Sequence, residues 1–145
     1  MSSKNKKLKI AIAGLGFGKK VHLEALKESD YLSPVAFYHY EKKQKSILEK
    51  ETGLDFFHSW EDLVKSPKID GIIIATPPES RFKLAKSALE NNKNLLLEKP
   101  VSISSSEIEE LQRISLINNL SVCVDFEYRA AVSYTHLTLP RINWV

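Results

Sequence analysis

Cysteine is nearly absent from this chain of 145 residues: Cys123 stands alone. A disulfide framework and a multi-cysteine metal site are therefore excluded, and a reducing, cytoplasmic setting fits. Inside the apolar "VCV" a lone thiol is expected to be buried and structural, because free cysteine behaves as a small hydrophobe. Long apolar runs are missing too. None approaches the roughly 20 residues needed to cross a bilayer. The apolar segment behind the basic start "MSSKNKKLK" contains glycine and falls short of a signal-peptide core of roughly 7–15 residues. Excess charge is small, +3 in total, and the lysines are spread along the whole chain. Nucleic-acid binding needs a concentrated basic patch, so neither nucleic acid nor membrane is expected as a partner. No internal repeat and no low-complexity segment is present.

What the chain has is alternation. "KIAIAG" (9–14), "PVAFYHY" (34–40), "DGIIIATPP" (70–78), "NLLLEKP" (94–100) and "LSVCVDF" (120–126) read as strands. "DFFHS" reads as a brief one. Between them, "KKVHLEALKES" (19–29) and "EKKQKSILEKETG" (41–53, stopped by Gly53) read as helices. "SWEDLVKS" reads as a short helix capped by Ser59, with Asp62 three residues on. "ESRFKLAKSALENN" (79–92) presents Phe82, Ala85, Ala88 and Leu89 on one face, and "SSSEIEELQRISLINN" (104–119) presents Ile108, Leu111, Ile114 and Ile117. Continuous apolar strands suit a sheet covered on both sides. Strand–helix alternation of this kind predicts a doubly wound parallel α/β sheet of Rossmann type.

Ligands of such sheets bind beyond the carboxyl ends of the strands. That rule selects Gly14–Gly18, His39–Lys43, Ala75–Pro78 and Glu98–Pro100. The first is a G-x-G turn between a strand and a helix, where free backbone N–H groups and the helix dipole favour a diphosphate. Gly14 would make the turn and Gly16 would face the phosphates. Lys19 occupies the place of the usual third glycine, which serves packing rather than phosphate contact. Gly18, one residue early, is expected to relieve the same crowding. At the second strand, an acid accepts ribose hydroxyls and a base accommodates a 2′-phosphate. No aspartate stands there. Glu41 is either a ribose partner or the opening of the next helix. His39, Lys42 and Lys43 lean the cofactor reading, NAD or NADP, slightly toward NADP, against the alternative of a solvated helix start. Lys99 in "EKP" follows a buried strand, where a partly desolvated ammonium is suited to proton transfer, against the alternative of a solvated loop lysine.

"GLGFGKKVHLEAL", "IIIATPPES", "NLLLEKP" and "VDFEYR", in this order, resemble the glucose–fructose oxidoreductase / inositol dehydrogenase / MocA family, over nearly all of residues 8–129. The resemblance implies an NAD(P)-dependent oxidoreductase of sugars or cyclitols with a second, substrate-binding domain. It implies that Gly14, Leu15, Gly16, Phe17 and Gly18 line the pyrophosphate, and that Ala75, Thr76 and Pro77 border the cofactor. Glu98 and Lys99 would stand near the nicotinamide, Lys99 as the catalytic lysine, with Pro100 often cis. His22 matches a histidine that often follows the glycine loop. Two departures are Arg81, where the family often has histidine, and Glu24, where it often has proline.

Residues 1–131 are thus expected to form the NAD(P)-binding domain. The tail "VSYTHLTLP" (132–140) resembles a translated sequencing adaptor, so 132–145 is expected to be non-native and the substrate domain to be missing. Such a fragment would bind dinucleotide weakly and turn over nothing, whereas the complete protein is expected to be a homo-oligomer. The rival readings are a non-catalytic nucleotide-sensing or scaffold module, and a biliverdin-reductase-like or dihydrodipicolinate-reductase-like enzyme.

Overall fold

The apolar runs of the sequence become six strands in a computed structural model that describes residues 6–126. They are β1 (Leu8–Ala13), β2 (Leu32–Tyr38), β3 (Asp55–Phe57), β4 (Gly71–Ile74), β5 (Asn94–Glu98) and β6 (Val122–Asp125). All pair in parallel, in the order β3-β2-β1-β4-β5-β6. The helices are α1 (Leu23–Glu28), α2 (Lys45–Thr52), α3 (Trp60–Lys65), α4 (Pro78–Glu90) and α5 (Ser105–Ile117). A wide π-type turn, Gly18–His22, leads into α1, and a 3₁₀ turn, Lys42–Gln44, leads into α2.

Side chains alternate across each strand, and two separate apolar clusters show both faces covered. Ile10, Ile12, Phe37 and Ile73 pack with Leu23, Leu26 and Leu48 of α1 and α2. Ala11, Ala13, Ile72, Ile74, Leu95 and Leu97 pack with residues of α3, α4 and α5, including Leu63, Ala85, Ala88, Leu89, Leu111 and Ile114. Alanines on both β1 and α4 leave no bulk between helix and sheet. The doubly wound expectation holds.

Local signals explain most boundaries. Gly53 closes α2 with φ +69°, the left-handed conformation of a helix stop. Ser59 caps α3, its hydroxyl accepting from the Asp62 N–H at 3.2 Å. Three expectations shift. β2 begins before Pro34 and ends before His39; the register slips next to Pro34, which has no N–H to donate. Only the middle of α5 is covered: Leu111 and Ile114 are buried, but Ile108 and Ile117 are exposed. Cys123, expected inside, is exposed on β6, an edge strand of the sheet among the described residues. The expected boundary near Ala131 and the tail 132–145 lie outside the described residues.

Candidate functional site

At the carboxyl edge the ends of β1, β2, β4 and β5 enclose a cleft of about 840 Å³. It lies where the chain order reverses, between β1 and β4, the usual ligand position in an open parallel sheet. Gly14, Leu15, Gly16, His39, Ala75, Thr76, Pro77 and Lys99 all line it. Tyr38, Tyr40, Pro78, Glu79, Ser80, Arg81 and Leu84 complete the wall.

The glycine turn is shaped by contact rather than by flexibility alone. Gly14 has φ +109°, and a Cβ there would lie 2.5 Å from the Ala75 carbonyl oxygen. A Cβ on Gly18 would lie 2.8 Å from Ile12 Cγ2. Gly18 therefore does the packing that the motif's third glycine usually does, while Lys19 turns outward and pairs with Glu51. Nothing lies within 4 Å of the Cβ position of Gly16. The space beside it belongs to the cleft, at a helix start whose first amides lack intrahelical partners. A diphosphate fits that cradle. Phe17 stands outside the cleft wall, edge-on to the His22 ring at 5.2 Å.

At the β2 side, Tyr38 meets Trp60 edge-to-face at 4.9 Å, and burial raises its pKa. His39 stacks on Tyr40 at 4.6 Å, and its Nδ1 accepts the Glu41 N–H at 3.2 Å. The Glu41 carboxyl is held below the usual carboxylate range, first by the Gln44 amide and then by Lys43. Lys42 and Lys43 do not line the cleft. The 3₁₀ turn carries both into solvent, where Lys43 sits 3.4 Å from Glu41.

Beneath the cleft lies a buried polar layer. Glu98, expected beside the nicotinamide, is turned away from the cleft, its Oε1 2.8 Å from His22 Nε2. Asp125, its register neighbour on β6, lies 3.8 Å from the same nitrogen. These three residues offer ligand atoms within 4.8 Å of one another. The short His22–Glu98 bond engages two of them directly, and Asp125 lies beside that pair without a hydrogen bond to it. Arg81 is buried as well. Its Nη1 donates to the Glu98 carbonyl at 2.6 Å and to the Pro100 carbonyl, and its Nη2 donates to the Thr76 carbonyl. Burial pulls the guanidinium pKa down, against the pull of Glu98 and Glu79. Lys99 is exposed on the cleft wall, and the Lys99–Pro100 bond is cis.

Arg81 carries a weak signal in the sequence. Counting the α4 face from Phe82 passes it by. Counting back four from Ala85 lands on it, a charged residue on the buried face.

A parallel sheet in this strand order, with a glycine turn and a cleft at the reversal point, defines a Rossmann-type dinucleotide-binding domain. The chain belongs to the Gfo/Idh/MocA oxidoreductase family, whose NAD-binding Rossmann fold matches residues 8–126. An uncharacterized oxidoreductase of Synechocystis is 29% identical over 136 residues, 93% of this chain and 37% of the relative. The chain thus spans little more than a third of that relative's length. A scyllo-inositol dehydrogenase from Lactobacillus casei, solved with NAD(H) and scyllo-inositol, is 27% identical with a TM-score of 0.81, over 90% of this chain and 39% of that one. A Synechocystis biliverdin reductase solved with biliverdin and NADP+ shares the fold at 22% identity and a TM-score of 0.75, over 81% of this chain and 37% of that one.

Proposed function

We propose that residues 6–126 are the coenzyme-binding half of a dehydrogenase acting on a sugar or cyclitol hydroxyl or its carbonyl counterpart. The observation that carries this is the meeting of Lys99 with the glycine turn and Thr76–Pro77 in one cleft. NAD or NADP, when bound, supplies the hydride acceptor or donor. Gly14 and Gly16 admit the diphosphate, Tyr38, His39 and Tyr40 face the adenosine end, and Lys99 holds or moves the proton of the substrate oxygen. A further domain, in the length by which relatives exceed this chain, supplies the substrate pocket and a second acid–base group. The Lactobacillus casei enzyme, with its bound cyclitol, supports the substrate class. Of the three basic residues that lean toward NADP, only His39 faces the cleft.

Titration of the chain with NADH and NADPH, followed by nicotinamide fluorescence and calorimetry, tests the reading. Weak saturable binding is expected, with NADPH at least equal to NADH. Absence of heat with either coenzyme on folded protein overturns the proposal, and a clear preference for NADH removes the NADP lean. In a full-length form, Lys99→Ala is expected to cut turnover by roughly 10²–10⁴-fold, the usual contribution of a positioned acid or base.

A further inference from the structure

We propose that Arg81 is the positioning residue for Lys99, a buried clasp that fixes the turn carrying the lysine against the turn that borders the coenzyme. The inference rests on the reading of Lys99 as the proton-handling residue. Arg81 stands in the first turns of α4 and is only 4% exposed. One terminal nitrogen holds the carbonyls of Glu98 and Pro100, the residues on either side of Lys99. The other holds the carbonyl of Thr76, on the opposite turn. Both turns end strands of the same sheet, and one guanidinium ties them together.

The residue type matters. Three acceptors in two directions suit a planar fork of donors, whereas an ammonium is a compact point on a flexible stem. The hydrogen-bond partners are all main-chain oxygens. The carboxylate of Glu98 bonds instead to His22. Residue 98 is therefore held twice, by its carbonyl and by its side chain, and residue 100 once. Lys99 is left between two anchored residues. Arg81 Nε is buried without a hydrogen-bond partner among the described residues, so the fork serves its three terminal contacts rather than full bonding. A reactive side chain on a locked backbone, supported by a group that never touches substrate, is the arrangement that keeps a site within tolerance.

The test compares the chain with its Arg81→Lys and Arg81→Gln variants. Each is acylated with trace acetic anhydride across a pH series and read lysine by lysine by peptide mass spectrometry. Exposed Lys68 standardises the reagent, and buried Lys93, at the other edge of the sheet, reports whether the fold is intact. In whichever variant keeps Lys93 protected, Lys99 reactivity is expected to move by about threefold or more, with Lys nearer wild type than Gln. A smaller change with Lys93 protected overturns the proposal. So does loss of Lys93 protection in both variants, which makes Arg81 a structural residue only. Wild-type protein that binds neither NADH nor NADPH strikes the dehydrogenase reading and leaves this comparison standing; bound coenzyme with an unmoved Lys99 strikes the clasp alone.

Discussion

Arg81 and Lys93 stand at opposite edges of one sheet, and both are buried cations that donate to backbone carbonyls. Lys93 Nζ reaches the carbonyls of Ser66 at 2.8 Å and Ile69 at 2.7 Å, tying the loop before β4 to the start of β5. Burial lowers its pKa, and Asp70 opposes the shift. The surroundings differ. Around Arg81 four strand ends, a glycine turn and an exposed lysine face a cleft of about 840 Å³. The recess beside the Lys93 loop holds about 170 Å³, and the chain there closes on itself, Lys9 N–H bonding to the Asp70 carboxylate at 2.7 Å. A buried cation by itself marks loops that need partners for their carbonyls. Strand ends converging on a bare turn mark a site.

That contrast is broken most severely at the glycines. Gly14→Ala places a Cβ against the Ala75 carbonyl at a φ that L residues rarely adopt, and is expected to cost on the order of 3 kcal/mol or more. Gly16→Ala meets no neighbour and is expected to leave stability within about 0.5 kcal/mol while weakening NADH and NADPH binding. Urea unfolding and fluorescence titration check the pair. Unchanged affinity in Gly16→Ala would take the diphosphate away from this turn.

At the amino edge the pattern should invert. Lys93→Met strips two carbonyls of their donor and is expected to cost about 1–3 kcal/mol with coenzyme affinity unchanged. A loss of affinity would join the two edges. Ser59→Ala sharpens the boundary from the other side. It removes the α3 cap at the carboxyl edge but outside the cleft, and should cost about 1 kcal/mol with no change in binding.

Much of this was legible because each signal sits where local chemistry acts alone. The β-rich apolar runs of 72–74 and 95–97 need cover on both faces, and that requirement produced the doubly wound sheet. The glycine turn, Ala75–Pro77 and Lys99 are each adjacent to such a run, so topology brought them together. The clasp was harder to read, since its acceptors are main-chain oxygens and carry no residue identity. Glu98 looked like a cleft residue because strand alternation beside a turn does not say which way the last side chain points. Lys42 and Lys43 were displaced by a 3₁₀ turn where a longer helix was expected. Cys123 reads as core from its neighbours, but among the described residues β6 is an edge strand with a single partner strand, β5.

pH gives the smallest effect and the finest separation of the two edges. Lys93 has a folded pKa below the ordinary 10.5. Between the folded value and 10.5 the unfolded chain binds a proton that the folded chain has released, so stability rises with pH through that window. The contribution is complete above the unfolded value and is lost as pH falls through the folded one. Tyr38, raised by burial, works in the opposite sense, but wild type and Lys93→Met share it, and it cancels in their difference. The stability of wild type minus that of Lys93→Met, from urea unfolding across a pH series, should therefore climb as pH approaches 10.5. A flat difference would mean that Lys93 is solvated like a surface lysine, and its kinship with Arg81 would fail. No such window exists for Arg81 itself, because a guanidinium stays protonated wherever the protein is folded. The amino-edge staple is therefore expected to contribute a pH-dependent stability, and the one beside Lys99 is not.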